Sequence, residues 1–488
     1  MDLAGYAKAF DEVERDFEGA VESWGLPFEA AESSPRCERP RVAAACGCRC
    51  ENGDASLVSG WISPACLACR TGEETVTFYV DLRCTRHCYF CFNPNQDCYE
   101  HFLHHKRDIT AELEEAHAAG ARFRCIAITG GEPLLHREEV LRFLRRAREL
   151  YPGVHTRLYT SGDLLDEGLL RELADAGLTE IRFSVKPPDA SWEPALLNSP
   201  EGCPQPAGPA ADPSGSTSPD PCGPAAGPAG CSSSVGDGMG NDPVWEHIAS
   251  AVAAISDVVI EVPVIPGTLE WMKQLLVRAD SLGVRGVNLL EFCFPLHNAE
   301  EFQRRGFQLR KHPYNYLYDY WYGGGIPVAG SESEALALME FGAAEGLKLG
   351  LHYCSSDNKN TGQVYQQNSA PEAVAFVQER CPWMAPDPAD RFLKCAKAFG
   401  ADADTLRRWL ETADCGSQDA GSRDHPWSYE ADIPCISLPL CAVPSVREAL
   451  PDVTLAESVN VVEGDADGTL RIREVAVRPL PGASGVYG

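Results

Sequence analysis

The sequence predicts an α/β fold whose strands form a partial (β/α)6 barrel. Between residues 75 and 294, short runs rich in β-branched and aromatic residues alternate with amphipathic helix patterns. Strands that alternate with helices in this way pair in parallel through right-handed crossovers. The chain has 488 residues, which is enough for such a barrel and for additional parts on either side of it.

Six strands and five intervening helices follow from this alternation. The predicted strands cover residues 75–82, 125–129, 155–161, 180–186, 258–265 and 286–294. The predicted helices cover residues 109–120, 138–150, 163–177, 244–255 and 269–283. In a TIM-like barrel the carboxyl ends of the strands carry the active site, so we look for chemistry at those positions.

Two flanking parts and one insertion complete the expected organisation. Residues 1–70 are irregular and bear cysteines, and we interpret them as an N-terminal Cys-rich extension of the barrel, which covers 71–330. Residues 331–488 are predicted to form a smaller C-terminal α+β elaboration. Residues 199–243 are rich in Pro and Gly and hold no Leu, Ile, Phe, Tyr or Trp. Such a segment buries too little apolar surface to offset its ordering entropy, so we expect a disordered insertion.

Composition narrows the class of protein. The formal net charge is −29, which argues against a nucleic-acid partner and against an anionic membrane surface. The sequence shows neither a signal-peptide pattern nor a long uncharged apolar run, so we expect a cytoplasmic protein without a membrane partner. There are 21 cysteines. In a reducing compartment so many cysteines indicate metal or redox chemistry rather than disulfides.

The stretch "CTRHCYFC" places three cysteines, Cys84, Cys88 and Cys91, directly after the first predicted strand. Taken alone, this spacing leaves several interpretations open. One is a closed four-ligand site for zinc or an iron–sulfur cluster, completed by Cys98 or a nearby histidine. Another is an iron–sulfur cluster held by three cysteines, with one iron open to a ligand.

The ends of later strands carry further groups suited to a ligand. The second strand ends in "TGGEPLL", where Gly130 and Gly131 allow backbone to approach a ligand closely. Glu132 offers a carboxylate that can accept hydrogen bonds from an ammonium group. Near the end of the fourth strand, Ser184 and Lys186 supply a hydroxyl and a cation suited to a carboxylate. These groups are predicted to lie at one edge of the sheet.

The motifs "CTRHCYFC" and "GGEP" together resemble the radical S-adenosylmethionine (radical SAM) superfamily, in particular members related to glycyl-radical-enzyme (pyruvate formate-lyase) activating enzymes. The resemblance implies that Cys84, Cys88 and Cys91 hold a [4Fe–4S] cluster whose fourth iron is chelated by S-adenosylmethionine. The residues that the resemblance places against this cosubstrate are Phe90, Gly130, Gly131, Glu132, Ser184 and Lys186.

The resemblance also implies an activity and its partners. The enzyme would be an oxygen-sensitive oxidoreductase that reductively cleaves S-adenosylmethionine to a 5′-deoxyadenosyl radical, which abstracts hydrogen from a substrate. A flavodoxin- or ferredoxin-like protein would donate the electron. A protein or peptide is the first expectation for the substrate, and a small metabolite is the second. A non-catalytic iron–sulfur or zinc protein is the alternative of another class, although such a protein does not need the "GGEP" motif.

Two further groups are candidates for chemistry. In "CLAC", Cys66 and Cys69 form a half-site for an auxiliary iron–sulfur cluster or zinc, or else are reduced structural thiols. The polar stretch "LHYCSSDNKNTGQVYQQN", residues 351–368, offers His352 and Cys354 as candidate catalytic residues for proton or hydrogen transfer. A solvated loop is the simpler interpretation of that stretch.

Overall fold

A computed structural model describes residues 3–7, 10–30, 35–187, 242–317, 325–413, 426–464 and 468–480. It consists of a nine-stranded mixed sheet, a six-stranded sheet, a two-stranded sheet and the helices that cover them. The predicted α/β class is therefore confirmed. The insertion expected at 199–243 lies outside the described residues, apart from its last two positions.

The strands and helices are numbered in chain order. The strands are β1 (Arg49–Glu51), β2 (Ser56–Ser59), β3 (Thr75–Tyr79), β4 (Cys125–Thr129), β5 (His155–Thr160), β6 (Glu180–Phe183), β7 (Asp257–Val264), β8 (Gly286–Glu291), β9 (Cys293–Phe294), β10 (Ile326–Pro327), β11 (Gly350–Cys354), β12 (Ala385–Pro386), β13 (Leu393–Phe399), β14 (Ser428–Glu430), β15 (Cys435–Leu438), β16 (Ala456–Gly464) and β17 (Leu470–Pro479). The helices are α1 (Leu3–Ala7), α2 (Asp11–Ser23), α3 (Arg39–Cys46), α4 (Pro64–Cys69), α5 (Tyr99–Phe102), α6 (Ile109–Ala118), α7 (Arg137–Leu150), α8 (Glu167–Ala176), α9 (Val244–Ala254), α10 (Leu269–Leu282), α11 (Ala299–Arg304), α12 (Ser331–Ala344), α13 (Ser356–Ser369), α14 (Pro371–Arg380), α15 (Gly400–Ala413) and α16 (Val443–Ala449).

The main sheet has the order β1-β2-β11-β8-β7-β6-β5-β4-β3. All six predicted strands are present as β3 to β8, and they pair in parallel in their order along the chain. The sheet is larger than predicted, because β11 adds a seventh parallel strand beside β8 and β2 pairs antiparallel with β11. Segments from both flanking parts of the sequence therefore extend this sheet. The division into domains predicted from the sequence stays a prediction.

Helices cover one face of the main sheet. Neighbouring helices contact each other in the order α6, α7, α8, α9, α10 and α12, so they lie side by side. Alternate strand residues such as Ile181, Phe183, Val287 and Leu289 are buried in the same core as the apolar helix positions. Each fully buried aliphatic or aromatic side chain contributes about 1.5–3 kcal/mol. The residues between them in the strands point to the opposite face.

That opposite face is polar and holds a helix of its own. Arg182 of β6 and Asn288 of β8 alternate with the core residues and are also buried. Helix α4 contacts β3, β4 and β5. The Cys66 sulfur of this helix accepts hydrogen bonds from the side chains of Arg182 and Asn288. The short segment that carries "CLAC" is therefore packed inside the fold.

The second large sheet lies later in the chain. Its order is β14-β15-β13-β16-β17, with β12 paired to β13, and all of its pairs are antiparallel. Helix α15 packs on β13 and β15. In the part of the chain that the structure describes, no helix is both long and apolar enough to cross a membrane.

Candidate functional site

One pocket, which we call the central pocket, lies at the carboxyl ends of the parallel strands and encloses about 240 Å³. Its lining includes the three cysteines of "CTRHCYFC", which are Cys84, Cys88 and Cys91. It also includes every residue that the resemblance places against the cosubstrate, namely Phe90, Gly130, Gly131, Glu132, Ser184 and Lys186. The fold thus brings together side chains from the segments that follow β3, β4 and β6.

The cysteine loop after β3 is held in place through its own backbone. The Cys91 amide donates to the Cys88 carbonyl at 3.1 Å, which closes a tight turn. Two side chains from the segment after β9 support the loop from outside. His297 Nε2 donates to the Cys91 carbonyl at 2.7 Å, and Asn298 Nδ2 donates to the Tyr89 carbonyl at 3.0 Å. These bonds use the loop carbonyls and leave the thiols to line the pocket.

The ionisation and spacing of the three thiols describe the metal-free loop. Burial raises the pKa of Cys84 and Cys91, so metal-free thiols there stay protonated at neutral pH. Among the described residues, the three sulfur atoms do not lie within 4.8 Å of one another as a set. A single tetrahedral zinc with bonds of about 2.3 Å would hold its thiolates about 3.8 Å apart.

The turn after β4 requires glycine at two positions. Gly130 has a φ of 118°, a conformation that L side chains rarely adopt. A Cβ atom on Gly131 would lie 1.7 Å from the Arg83 carbonyl oxygen. The next amide, that of Glu132, donates to the same oxygen at 2.7 Å. Glycine therefore allows the end of β4 to pack directly against the start of the cysteine loop.

Glu132 is buried, and its carboxylate is surrounded by donors from the protein. Oε1 accepts from the Leu134 amide at 3.1 Å and from Thr160 Oγ1 at 2.9 Å. Oε2 accepts from both the amide and the hydroxyl of Ser161 at 2.7 Å. Glu132 therefore ties the turn after β4 to the end of β5. Its expected contact with the methionine amino group stays a prediction, because an ammonium group would have to share these lone pairs.

Aromatic and basic side chains form another wall of the pocket. Phe90 packs edge-on against Tyr89 and Phe292, with ring centroids 5.0 and 5.4 Å apart. Lys186 Nζ lies 5.9 Å from the centroid of the Phe90 ring. Ser184 and Lys186 both follow β6, which ends earlier than predicted, at Phe183. A flat apolar surface thus adjoins a cation on the same side of the pocket.

The pocket also contains side chains that the sequence analysis did not single out for it. They include Tyr159, Glu291, Cys293 and Lys359. Glu261, at an alternating position of the fifth predicted strand, also lines the pocket. Lys359 lies in the polar stretch 351–368, but nothing local to that stretch distinguishes it from its polar neighbours.

A buried polar network lies next to the pocket on the same face of the sheet. Glu261 Oε2 accepts from Arg182 Nη1 at 2.5 Å and from Asn288 Nδ2 at 3.1 Å. Arg182 also pairs with Glu180 and donates through Nη2 to Cys66 Sγ at 3.1 Å. Because Glu261 also lines the pocket, the network connects the pocket to helix α4.

The pKa of Cys66 is lowered in this network. Burial opposes ionisation, but the Arg182 guanidinium and then His352 outweigh it and lower the pKa of Cys66 to about 6. Asn288 Nδ2 adds a hydrogen bond to the same sulfur at 3.3 Å. The sulfur is therefore stabilised by protein donors.

The neighbouring Cys69 differs, since burial raises its pKa. Among the described residues, the two sulfur atoms of "CLAC" and a third ligand atom do not all lie within 4.8 Å of one another. A second metal site at Cys66 and Cys69 stays a prediction.

The two candidate catalytic residues lie outside the lining of the central pocket. His352 is buried, with Nδ1 3.0 Å from Asn288 Oδ1 and Nε2 2.8 Å from Ser56 Oγ. Burial raises the pKa of Cys354 to about 12, and Asn358 Nδ2 donates to its sulfur at 3.3 Å. The structure places both side chains in the polar interior, where strand β11 joins the sheet, and a direct role in catalysis stays untested.

One other group has the composition of a metal site. Single ligand atoms of His155, Glu180 and Asp257 lie within 4.8 Å of one another. Both carboxylates are already neutralised, since Glu180 pairs with Arg182 and Asp257 pairs with Arg285 at 3.0 Å. The group is accounted for as an ion-pair network at the amino ends of β5, β6 and β7.

Comparison with known proteins confirms the family resemblance for part of the chain. Residues 81–194 match the family model described as "Radical SAM superfamily". This segment contains both the cysteine loop and the turn after β4. The cofactors of that family are a [4Fe–4S] cluster and S-adenosylmethionine, as predicted from the motifs.

A relative and two solved structures are similar to parts of the chain. One relative is a protein of Methanocaldococcus jannaschii whose inferred name is glycyl-radical enzyme activating enzyme. It is 28% identical to this chain over 120 residues, which are 24% of this chain and 32% of the relative. SuiB of Streptococcus suis bound to S-adenosylmethionine is 13% identical over 45% of this chain and 41% of its own, with a TM-score of 0.30. Native anSMEcpe with bound S-adenosylmethionine and a peptide is 13% identical over 45% and 52%, also with a TM-score of 0.30. The chain spans about a third of the length of this relative.

Proposed function

We propose that the chain is a radical SAM enzyme whose [4Fe–4S] cluster is held by Cys84, Cys88 and Cys91. The observation that carries the proposal is the convergence of these three thiols with the glycine turn after β4 on one pocket. When bound, the cluster and S-adenosylmethionine supply a 5′-deoxyadenosyl radical that abstracts hydrogen from a substrate.

The residues of the chain bind and orient the cosubstrate in this proposal. Lys186 pairs with its carboxylate, and Phe90 supplies the apolar surface for its adenine. Because Gly130 and Gly131 have no side chains, the turn packs closely on the cysteine loop and leaves room for the cosubstrate to reach that loop. Glu132 holds this turn through its bonds to the end of β5. The aromatic wall around Phe292 keeps water away from the reacting atoms.

We also propose that strands β3 to β8 curve into a partial barrel. Two observations support this: the parallel strands follow chain order, and the helices lie side by side on one face. A doubly wound sheet would instead reverse its strand order and place helices on both faces. In a partial barrel the polar inner face of the sheet surrounds the reaction site.

The expected substrate is a protein or peptide, with a small metabolite as the second candidate. The name of the Methanocaldococcus jannaschii relative supports a protein substrate, although the match covers only 24% of this chain. A flavodoxin- or ferredoxin-like protein would provide the electron. We place the reaction in the cytoplasm, where the thiols of a cysteine-rich chain stay reduced.

Anaerobic reconstitution tests the proposal. The purified chain is loaded with iron and sulfide, reduced with dithionite and incubated with S-adenosylmethionine, and 5′-deoxyadenosine is measured. The wild type should hold at least four iron and four sulfide per chain and should form the product. Cys98→Ala is a matched control, because Cys98 is close in sequence but does not line the central pocket.

A chain that holds a full cluster but forms no 5′-deoxyadenosine would contradict the proposal. That outcome would favour a non-catalytic iron–sulfur protein. Zinc instead of iron in protein purified without reconstitution, together with failure to bind iron and sulfide, would favour a zinc-binding protein.

A further inference from the structure

Two lysines line the central pocket, and they stand on different sides of it. Lys186 follows β6, and its positive charge acts on the thiols of the cysteine loop, Cys84 and Cys91. Lys359 lies in helix α13, and its charge acts on Cys293 and Cys354 instead. One cation therefore stands beside the cysteine loop and the other on the side formed by β8, β9 and β11.

The carboxylates that face Lys359 already have other partners. Glu261 accepts from Arg182 and Asn288. Glu291 accepts from Arg310 Nη1 at 2.8 Å and from the Ser356 amide at 2.7 Å. Within the described ranges of the chain, Lys359 Nζ itself forms neither a hydrogen bond nor an ion pair.

Lys359 keeps its charge despite its position. Burial lowers its pKa, but the neighbouring groups more than compensate and the pKa lies above its usual value. The titratable groups that face it are Cys293, Cys354, Glu261 and Glu291. Burial raises the pKa of Cys293 to about 11 and that of Cys354 to about 12, so both thiols are neutral at neutral pH and the carboxylates of Glu261 and Glu291 are the charges that favour the ammonium form there. A charged amine without a bonded counterion therefore lines the pocket.

We propose that Lys359 binds a carboxylate of the substrate, so that the molecule that enters the central pocket beside S-adenosylmethionine is a carboxylic acid. This inference rests on the proposed function of the pocket. A monoanion is favoured over a phosphate dianion, because Glu261 and Glu291 would repel the second negative charge. The carboxylate belongs to a small acid, to a peptide C-terminus or to an acidic side chain.

The position of α13 argues against a second contact with the cosubstrate. Strand β11, which leads into α13, lies three places from β6 and five places from β4 in the sheet order. The proposed contacts to S-adenosylmethionine come from the segments after β3, β4 and β6. The β8–β11 side of the pocket is therefore left for the substrate.

The test compares acids with the amides of the same molecules. Reconstituted protein loaded with S-adenosylmethionine is titrated calorimetrically, under anaerobic conditions, with N-acetyl amino acids, with short peptides that have free C-termini, and with amidated peptides that carry Asp or Glu. Each acid is paired with its primary amide. At least one acid should bind about tenfold more tightly than its amide, the magnitude of a charge-assisted hydrogen bond. The three groups of probes distinguish the sources of the carboxylate.

Variants then assign the preference to one residue. Lys359→Met should abolish the preference for the acid, and Lys359→Arg should retain part of it. Lys311→Met should leave it unchanged, because Lys311 pairs with Glu18 at 3.1 Å and does not line the central pocket. Lys186→Met should weaken the binding of S-adenosylmethionine more than Lys359→Met does.

Three results would overturn the inference: no acid is preferred over its amide, the preference survives in Lys359→Met, or that variant loses S-adenosylmethionine as strongly as Lys186→Met. The formation of 5′-deoxyadenosine by the wild type tests the proposed function separately. If no product forms while an acid is still preferred, the proposed reaction fails but carboxylate binding by Lys359 stands.

Discussion

The two cysteine segments of this chain, residues 84–91 and residues 66–69, have similar spacings but different surroundings. Cys84 and Cys91 line an open pocket, and burial raises the pKa of both thiols. Cys66 lies in the interior of the fold and is a thiolate, because Arg182 and His352 outweigh the cost of its burial. The comparison teaches that the charges and donors around a cysteine decide how easily its thiol ionises.

The largest expected effect is a difference in iron content between variants of the two cysteine segments. Cys88→Ala removes a proposed cluster ligand, so iron after reconstitution should fall to roughly a tenth of the wild-type value or less. Cys66→Ala should keep nearly all of its iron, because the protein already supplies hydrogen bonds to that sulfur. The measurement is iron and sulfide per chain, together with the absorbance of the cluster. Equal loss in both variants would mean that the two segments share one metal centre.

Arg182 should be the residue on which the inner network depends most. Arg182→Met leaves Glu180, Glu261 and the Cys66 thiolate without their shared cation, which should cost about 3–5 kcal/mol of unfolding free energy. Denaturant unfolding of the metal-free protein measures this loss. Arg285→Met is the control, since Arg285 is 49% exposed and its pair with Asp257 is worth about 0–1 kcal/mol. A loss of similar size in both variants would show that the network adds nothing beyond a surface ion pair.

The glycine turn after β4 should affect the binding of S-adenosylmethionine more than it affects the stability of the protein. In Gly131→Ala the new Cβ would overlap the Arg83 carbonyl, so the turn must move away from the cysteine loop. S-Adenosylmethionine affinity should fall about tenfold or more, a change of about 1.4 kcal/mol. Gly19→Ala is the control, because a Cβ there meets no atom within 4 Å and the position lies in helix α2. Unchanged affinity in Gly131→Ala would remove this turn from the proposed binding site.

The last prediction concerns the pH dependence of stability. The pKa of Cys66 is lowered to about 6 from an ordinary value near 9, so the folded state binds fewer protons than the unfolded state between these values. Its stabilising contribution is complete above pH 9 and is lost as the pH falls through about 6. The difference in unfolding free energy between wild type and Cys66→Ala should therefore grow from pH 6 to pH 9, by at most about 1.4 kcal/mol per pH unit.

Cys125→Ala provides the matched control for this titration. Burial raises the pKa of Cys125, so its thiol is neutral across the lower part of the range and its contribution should be flat there. A flat profile for Cys66→Ala as well would mean that Cys66 is a neutral thiol.

Much of the fold was predictable because it depends on local patterns. The alternation of strands and helices located β3 to β8, and the rule that parallel strands share a carboxyl edge brought "CTRHCYFC" and "GGEP" to one pocket. Strand β11 lies in the part that the sequence predicted as an α+β elaboration, and its pairing with β8 was not predicted, since pairing depends on residues far apart in the sequence.

The sequence by itself determined the order of the six parallel strands, the radical SAM motifs and their position at the strand ends, because each rests on periodicity or on neighbours along the chain. Only the tertiary structure decided that Cys66 meets Arg182 and Asn288, which lie 116 and 222 positions away. It also decided that Lys359 enters the central pocket while His352 points into the polar interior. Sheet order and strand register set these contacts, and no pattern within a short stretch of sequence encodes them.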